Sequence, residues 1–307
     1  MANVETAYPN EIGKVQNVYF AGEKLPVEEI DGEYIYEGDI LLPADMLSSK
    51  EVKLVYEKGE TPPAQKSVGR TSARWPNNTV YYSIDSNLSS KNRVTDAISH
   101  WEANTSLKFV QRTSQSNYIY FTTSSGCSSY IGMIGGRQNI TLASSCSTGS
   151  TIHEIGHAVG LWHEQSRADR DNHIKILYNN IQSGREHNFM TYAESGFDGK
   201  EFTSSLDLGS IMMYGPYSFS SNGQPTITKT NGSTYTIQRT SLSTGDKQGI
   251  NSMYSSTSTT SPQYVDGERY IIHGLTVTYK AGEWWYYSRI YGWCEVEYRN
   301  GNWYYAR

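Results

Sequence analysis

No run of 18 apolar residues occurs in the 307-residue chain, which leaves nothing long enough to cross a bilayer as a helix, and the opening MANVETAYPNE lacks the apolar stretch of a secretory leader. Two readings fit that opening: a cytosolic protein, or a secreted one whose leader has been removed. Cysteine is scarce too. Three residues are too few for a disulfide scaffold, although Cys127 and Cys146 are spaced to close one loop in an oxidising compartment, which leaves Cys294 over. The net charge is −5 and no basic stripe interleaved with aromatics occurs, so no nucleic-acid partner is expected. Up to Lys66, 13 acids face six lysines and the first arginine is Arg70, while the remainder is net +2; two stretches of opposite sign are suited to dock on each other.

What is plentiful points to short strands. Aromatics make up 13% of the chain, and Ser, Thr, Asn and Gly are abundant, which favours an α+β or β-rich fold over long helices. Residues 1–66 read as a separable acidic segment ending in the loop-like EKGETPPAQK (57–66). NTVYYSID (78–85), NYIYFTT (117–123) and NITLAS (139–144) read as strands. Val94, Ala97, Ile98 and Trp101 recur at helical spacing, predicting an amphipathic helix over Lys91 to Asn104. A main body over 67–254 is followed by a Ser/Thr-rich linker, 255–263. The last stretch, 264–307, carries an internal repeat, YKAGEWWY (279–286) against YRNGNWYY (298–305), whose glycines mark two hairpin turns of a small β-rich module.

The densest chemistry lies in HEIGHAVGLWHEQSR (153–167), which holds three of the seven histidines. On a helix His153 and His157 are one turn apart on one face and can share an ion about 2.0–2.1 Å from each nitrogen. Glu154 beside them is placed to take a proton from a metal-activated water. Gly160 can end the helix in a left-handed conformation and bring His163 back as a third ligand. The bland alternative is a capping box at Thr151-x-x-Glu154 with histidines that bind nothing. His100, His173, His187 and His273 have no metal spacing and read as structural or solvated.

HEIGHAVGLWHEQSRADRD (153–171) resembles the long zinc-binding signature of the astacin family of metalloendopeptidases, in the metzincin clan, and SIMMYG (210–215) is similar to that family's methionine turn. The resemblance covers about 190 residues, from Trp75 to Tyr254. It implies an α+β catalytic domain with a twisted sheet, an active-site helix and a cleft. It further implies one Zn2+ per chain on His153, His157 and His163, with Glu154 as the catalytic base. Met212 would form an apolar floor, Tyr214 would be a further zinc ligand that swings aside to stabilise an oxyanion, and Glu164 would meet the buried N-terminus of the processed enzyme. YEGDI (36–40) resembles the family's pro-segment motif, making Asp39 the zinc ligand of the latent form, and another protease would activate the chain by a cut between about Glu60 and Arg70. The family disulfide Cys127–Cys146 is retained; the second is lost, since Ser106 stands at one half-cystine position. Met213 and Leu161 depart from the family's usual histidine and phenylalanine, which bears on subsites and not on the metal.

The expected partners are protein or peptide substrates, lying extended along Ser128 to Tyr130, and the localisation is secreted. Arg167, Asp169, Arg170 and Asp171 are expected to fix the loop after His163 by ion pairs. The rival readings are a serralysin-like or other metzincin protease, or a non-catalytic zinc-containing protein acting through its C-terminal module. There Trp284, Trp285 and Trp303 would either contact polysaccharide or matrix polymers or form the module's core.

Overall fold

Period-two burial of Val18 and Phe20, and of Leu25 and Val27, makes the acidic N-terminal stretch a meander of strands. Its strands are β1 (Lys14–Phe20), β2 (Glu23–Ile30), β3 (Glu33–Tyr36) and β4 (Ile40–Leu42), each antiparallel to the next. A two-residue strand, β5 (Val55–Tyr56), follows. The computed structural model describes residues 5–20, 23–49, 55–58, 74–195, 201–254, 266–267, 269–272, 275–288, 291–299 and 302–306. The expected cut region, Glu60 to Arg70, and the linker 255–263 lie outside the described residues.

The body begins with β6 (Thr79–Ile84) and α1 (Asn92–Asn104), then β7 (Lys108–Gln111), β8 (Tyr118–Thr122), β9 (Cys127–Tyr130) and β10 (Arg137–Leu142). These strands continue the meander's sheet, in the order β1-β2-β3-β4-β9-β10-β8-β6-β7. The junction is parallel, with Ile40 opposite Ser129 and Leu41 opposite Tyr130. The edge strand on which a substrate was expected to lie is therefore covered by the chain's own β4. Helix α1 buries Val94, Ala97, Ile98 and Trp101 against the sheet in a core shared with Ile119, Phe121, Ile140, Ile152 and Ile155. A disulfide joins Cys127 at the start of β9 to Cys146 just before the next helix. Closing a loop of that length stabilises the fold by about 3 kcal/mol in the chain-entropy model.

Helix α2 (Thr148–Ala158) carries the histidine motif. Ser147 caps it reciprocally with Ser150, while the Thr151 hydroxyl bonds the Ser147 carbonyl, so the capping box lies one turn before the Thr151–Glu154 pair. Two short strands, β11 (Ile174–Ile176) and β12 (Ile227–Lys229), form a separate antiparallel pair, and α3 (Thr244–Met253) follows. The C-terminal stretch is an antiparallel meander of β13 (Arg269–Ile272), β14 (Leu275–Lys280), β15 (Glu283–Ser288), β16 (Gly292–Arg299) and β17 (Asn302–Tyr305). Its sixth strand is β5, parallel to β17. Trp303 is buried and Trp284 packs against the same cluster, so these two tryptophans are core, whereas Trp293 and Tyr287 are exposed.

Candidate metal centre

Gly160 adopts a φ of 108° immediately after α2, its N–H bonding the His157 carbonyl while Leu161 N–H bonds that of Gly156. The turn returns the chain so that His163 joins His153 and His157. All three rings are buried, with centroids 4.6 to 5.3 Å apart. Each ring is held through Nδ1: His153 by the Ile211 carbonyl at 2.8 Å, His157 by the Leu161 carbonyl at 2.8 Å, His163 by the Glu37 carboxylate at 2.7 Å. Nδ1–H donation leaves the Nε2 lone pairs free to converge on one point.

Asp39 completes the set. Its Oδ2 is 3.2 Å from His153 Nε2, and its Oδ1 is 3.6 Å from His157 Nε2 and 3.3 Å from His163 Nε2. One ligand atom from each of the four residues lies within 4.8 Å of the others, close enough for a single ion to draw them to the distance of about 2.0–2.1 Å of zinc ligation. The unsatisfied atoms agree: Asp39 Oδ1 and the Nε2 atoms of His157 and His163 are buried without a hydrogen-bond partner. Buried polar atoms are seldom left so unless something else binds them. The charge balance also asks for a cation. Burial lowers the His163 pKa, but the carboxylates of Asp39 and Glu37 outweigh that and lift it to about 9. Asp39, His153, His157 and His163 are thus positioned to coordinate a single zinc ion.

Glu154 lies in the interior of α2 with both carboxylate oxygens buried and unpartnered. Burial, and then the charge of Asp39, hold its pKa well above the usual carboxylate value. Beneath the centre, the Met212 sulfur approaches the helix so closely that a Cβ on Gly156 would stand 2.6 Å from it. The turn bearing Met212 is fixed by Asp246, which accepts from Ser210 Oγ at 2.6 Å and Ile211 N–H at 3.0 Å. Asp246 also completes the capping box of α3 with Ser243, so one carboxylate aligns the helix start, the turn and, through the Ile211 carbonyl, the His153 ring. Tyr214 is buried against His163, its hydroxyl donating to the Glu37 carbonyl at 2.6 Å. Glu164 accepts from Asp207 N–H at 2.8 Å, and burial pushes its carboxyl up to about 8. Beyond it Arg167 pairs with Asp169 at 2.8 Å and Arg170 with Asp171 at 3.3 Å, while a second arm of Arg170 donates to the Phe189 carbonyl, closing the loop after His163.

A model of the astacin family of peptidases matches residues 67–255. The chain belongs to the astacin family. Among its relatives, Blastula protease 10 of Paracentrotus lividus is 41% identical over 204 residues, 63% of this chain and 34% of its own length. Zinc metalloproteinase nas-4 of Caenorhabditis elegans is 34% identical over 239 residues, 76% of this chain and 72% of its own. The chain therefore spans about a third of the first relative's length and nearly three quarters of the second's. Among solved structures, High choriolytic enzyme 1, a hatching enzyme zinc-protease from Oryzias latipes, superposes with a TM-score of 0.54 at 31% identity, covering 59% of this chain and 92% of that one. The serralysin alternative gives way to the astacin match.

Several residues around the centre carried no readable signal. Glu5, 34 positions before Asp39, is buried with both carboxylate oxygens 3.0 Å from Arg239 Nε. The remaining Arg239 nitrogens donate to the carbonyls of Gln238 and Met213 at 3.0 Å. Next to Glu5, the Thr6 carbonyl accepts from Cys127 N–H at 3.0 Å and Ala7 N–H donates to the Gly38 carbonyl at 2.9 Å. Glu37 is visible in the sequence only as the neighbour of Asp39 in YEGDI. Among the described residues, no helix is long and apolar enough to cross a membrane.

Proposed function

We propose that this chain is the latent form of a secreted zinc endopeptidase that hydrolyses peptide bonds in proteins. The observation that carries the reading is Glu154, a fully buried carboxylate with no protein partner, set beside three converging imidazoles. Leaving a buried carboxylate unpaired costs several kcal/mol, a cost that a structural role would have relieved with a donor. When bound, zinc supplies Lewis acidity, drawing down the pKa of water to about 7 and polarising a carbonyl.

His153, His157 and His163 hold the metal in this reading, oriented by the Ile211, Leu161 and Glu37 acceptors. Glu154 takes the proton of the attacking water and returns it to the leaving amine. Tyr214, once the Glu37 carbonyl is removed from its hydroxyl, donates a hydrogen bond to the developing oxyanion. Asp39 occupies the fourth position until the segment before the body is displaced, and Glu164 then receives the new N-terminus. Activation is by another protease, within about Glu60 to Arg70. The substrate lies extended on β9 where β4 now pairs, giving main-chain hydrogen bonds to Ser129 and its neighbours. Secretion is supported by the Cys127–Cys146 disulfide, which persists in oxidising compartments. A contact with polysaccharide or matrix through the C-terminal sheet draws on exposed Tyr287 and Trp293, whose rings lie 5.4 Å apart.

Glu154→Gln is expected to lower cleavage of casein by the processed chain about 10²- to 10⁴-fold while zinc content stays stoichiometric. A variant cleaving at the wild-type rate, or a processed protein that keeps its activity after exhaustive chelation, would remove the reading.

A further inference from the structure

The two-residue strand β5 lies upstream of the body in sequence, yet it belongs to the C-terminal sheet. Val55 stands opposite Trp303 and Tyr56 opposite Tyr304 in a parallel pairing that makes β5 the outermost strand next to β17. Val55 is 3% exposed and shares an apolar cluster with Leu275, Val277, Val296 and Trp303. Tyr56 is 5% exposed, its ring 6.2 Å from that of Tyr304. Without β5, β17 would be an open edge and the small core would lose its outer wall. The C-terminal meander has a place for one extended, apolar, two-residue segment, and the segment before the cut region fills it.

Position along the chain gives this contact its meaning. The expected cut at about 60–70 falls after β5, so a cut leaves β5 on the N-terminal fragment and the C-terminal sheet on the body's fragment. We propose that the β17 edge of the C-terminal sheet is a docking site for the tail of the N-terminal segment, and that it retains that segment on the body after the connecting chain is cut. The retention works by β-augmentation, main-chain pairing giving the hold and the Val55 side chain the selectivity. The location of the cut rests on the reading above; the docking itself does not.

The test uses the full chain with Glu154→Gln, so that nothing is cut except at a recognition sequence for a site-specific protease inserted between residues 60 and 70. After the single cut the N-terminal fragment is expected to co-elute with the body on size exclusion. Val55→Asp is expected to speed its dissociation about ten- to a hundredfold, the range corresponding to one buried valine, and Val55→Ala by a smaller factor. Amide exchange on the uncut chain supplies an independent reading: Val55→Asp should deprotect residues 302–305 while β14 and β15 keep their protection. Equal dissociation rates in the three proteins, or unchanged exchange of β17, would overturn the proposal. Neither readout depends on peptidase activity, so a failure of the zinc reading leaves this test intact.

Discussion

Glu5 and Asp39, two of the buried carboxylates that the N-terminal segment contributes, meet opposite kinds of partner. Glu5 meets one guanidinium whose other donors are already taken by backbone carbonyls, a closed arrangement that needs nothing further. Asp39 meets three imidazoles whose Nε2 atoms converge, two of them without any hydrogen bond, an arrangement that is complete only around a cation. In the proposed function the first is a clamp and the second a stopper, and the distinction lies in the unsatisfied atoms and not in burial, since both carboxylates are buried.

The comparison yields a ranked set of outcomes. Asp39→Ala is expected to have the largest effect: removing one member of a buried charge set costs about 3–5 kcal/mol, so the uncut chain should gain about 10²- to 10⁴-fold in peptidase activity, measured on a fluorogenic peptide. Replacing Cys127 and Cys146 with serine should cost about 3 kcal/mol of stability in denaturant titrations. Because β9 carries the amide contacts of both Thr6 and Asp39, that change should loosen clamp and stopper together. Asp246→Ala releases the Ile211 turn and with it the His153 ring, and should weaken zinc affinity about 10- to 100-fold in competition with a chelator. Glu5→Gln should raise the uncut chain's activity about tenfold or less, because Asp39 still occupies its place.

Acid separates the clamp most gently. Burial raises the Glu5 pKa, but the charges of His153 and Arg239 outweigh it and leave it below the usual value. A carboxyl depressed on docking stabilises the docked state fully above its free pKa of about 4.3 and loses that contribution as pH falls towards the docked value. The protection factors of the Thr6 to Tyr8 amides should therefore fall as pH is lowered below about 4.3, and the step should vanish in Glu5→Gln.

The metal site was largely legible because its parts are local. A one-turn spacing sets His153 against His157, and a single glycine with positive φ returns His163 within six residues. Val94 to Trp101 likewise announced α1 through periodicity alone. Asp39 was legible only through the likeness of YEGDI to a family motif, since no local pattern says which of 13 N-terminal acids would reach a site over a hundred residues away. Glu5 with Arg239, Glu37 with His163, and Asp246 with Ile211 were not legible, because each pairing is made by the order of strands in the sheet and not by spacing. The fate of Val55 and Tyr56 was hidden for the same reason: a two-residue parallel strand has no periodicity, and its partner is almost the whole chain away. The tryptophans of the C-terminal sheet sort by strand parity, with Trp284 and Trp303 inward and Trp293 outward, which a register assignment is needed to reveal.

The parallel seam between β4 and β9 has a consequence for handling and storage. Under the proposed activation, departure of the N-terminal strands would leave β9 as the raw flank of a five-stranded sheet, its amides and carbonyls open to any extended peptide, including that of another copy. The strand is only four residues long, which keeps such self-association weak. On that reading the same hydrogen-bonding row would also limit how concentrated the processed form could be kept, and the uncut chain would be the form suited to accumulation.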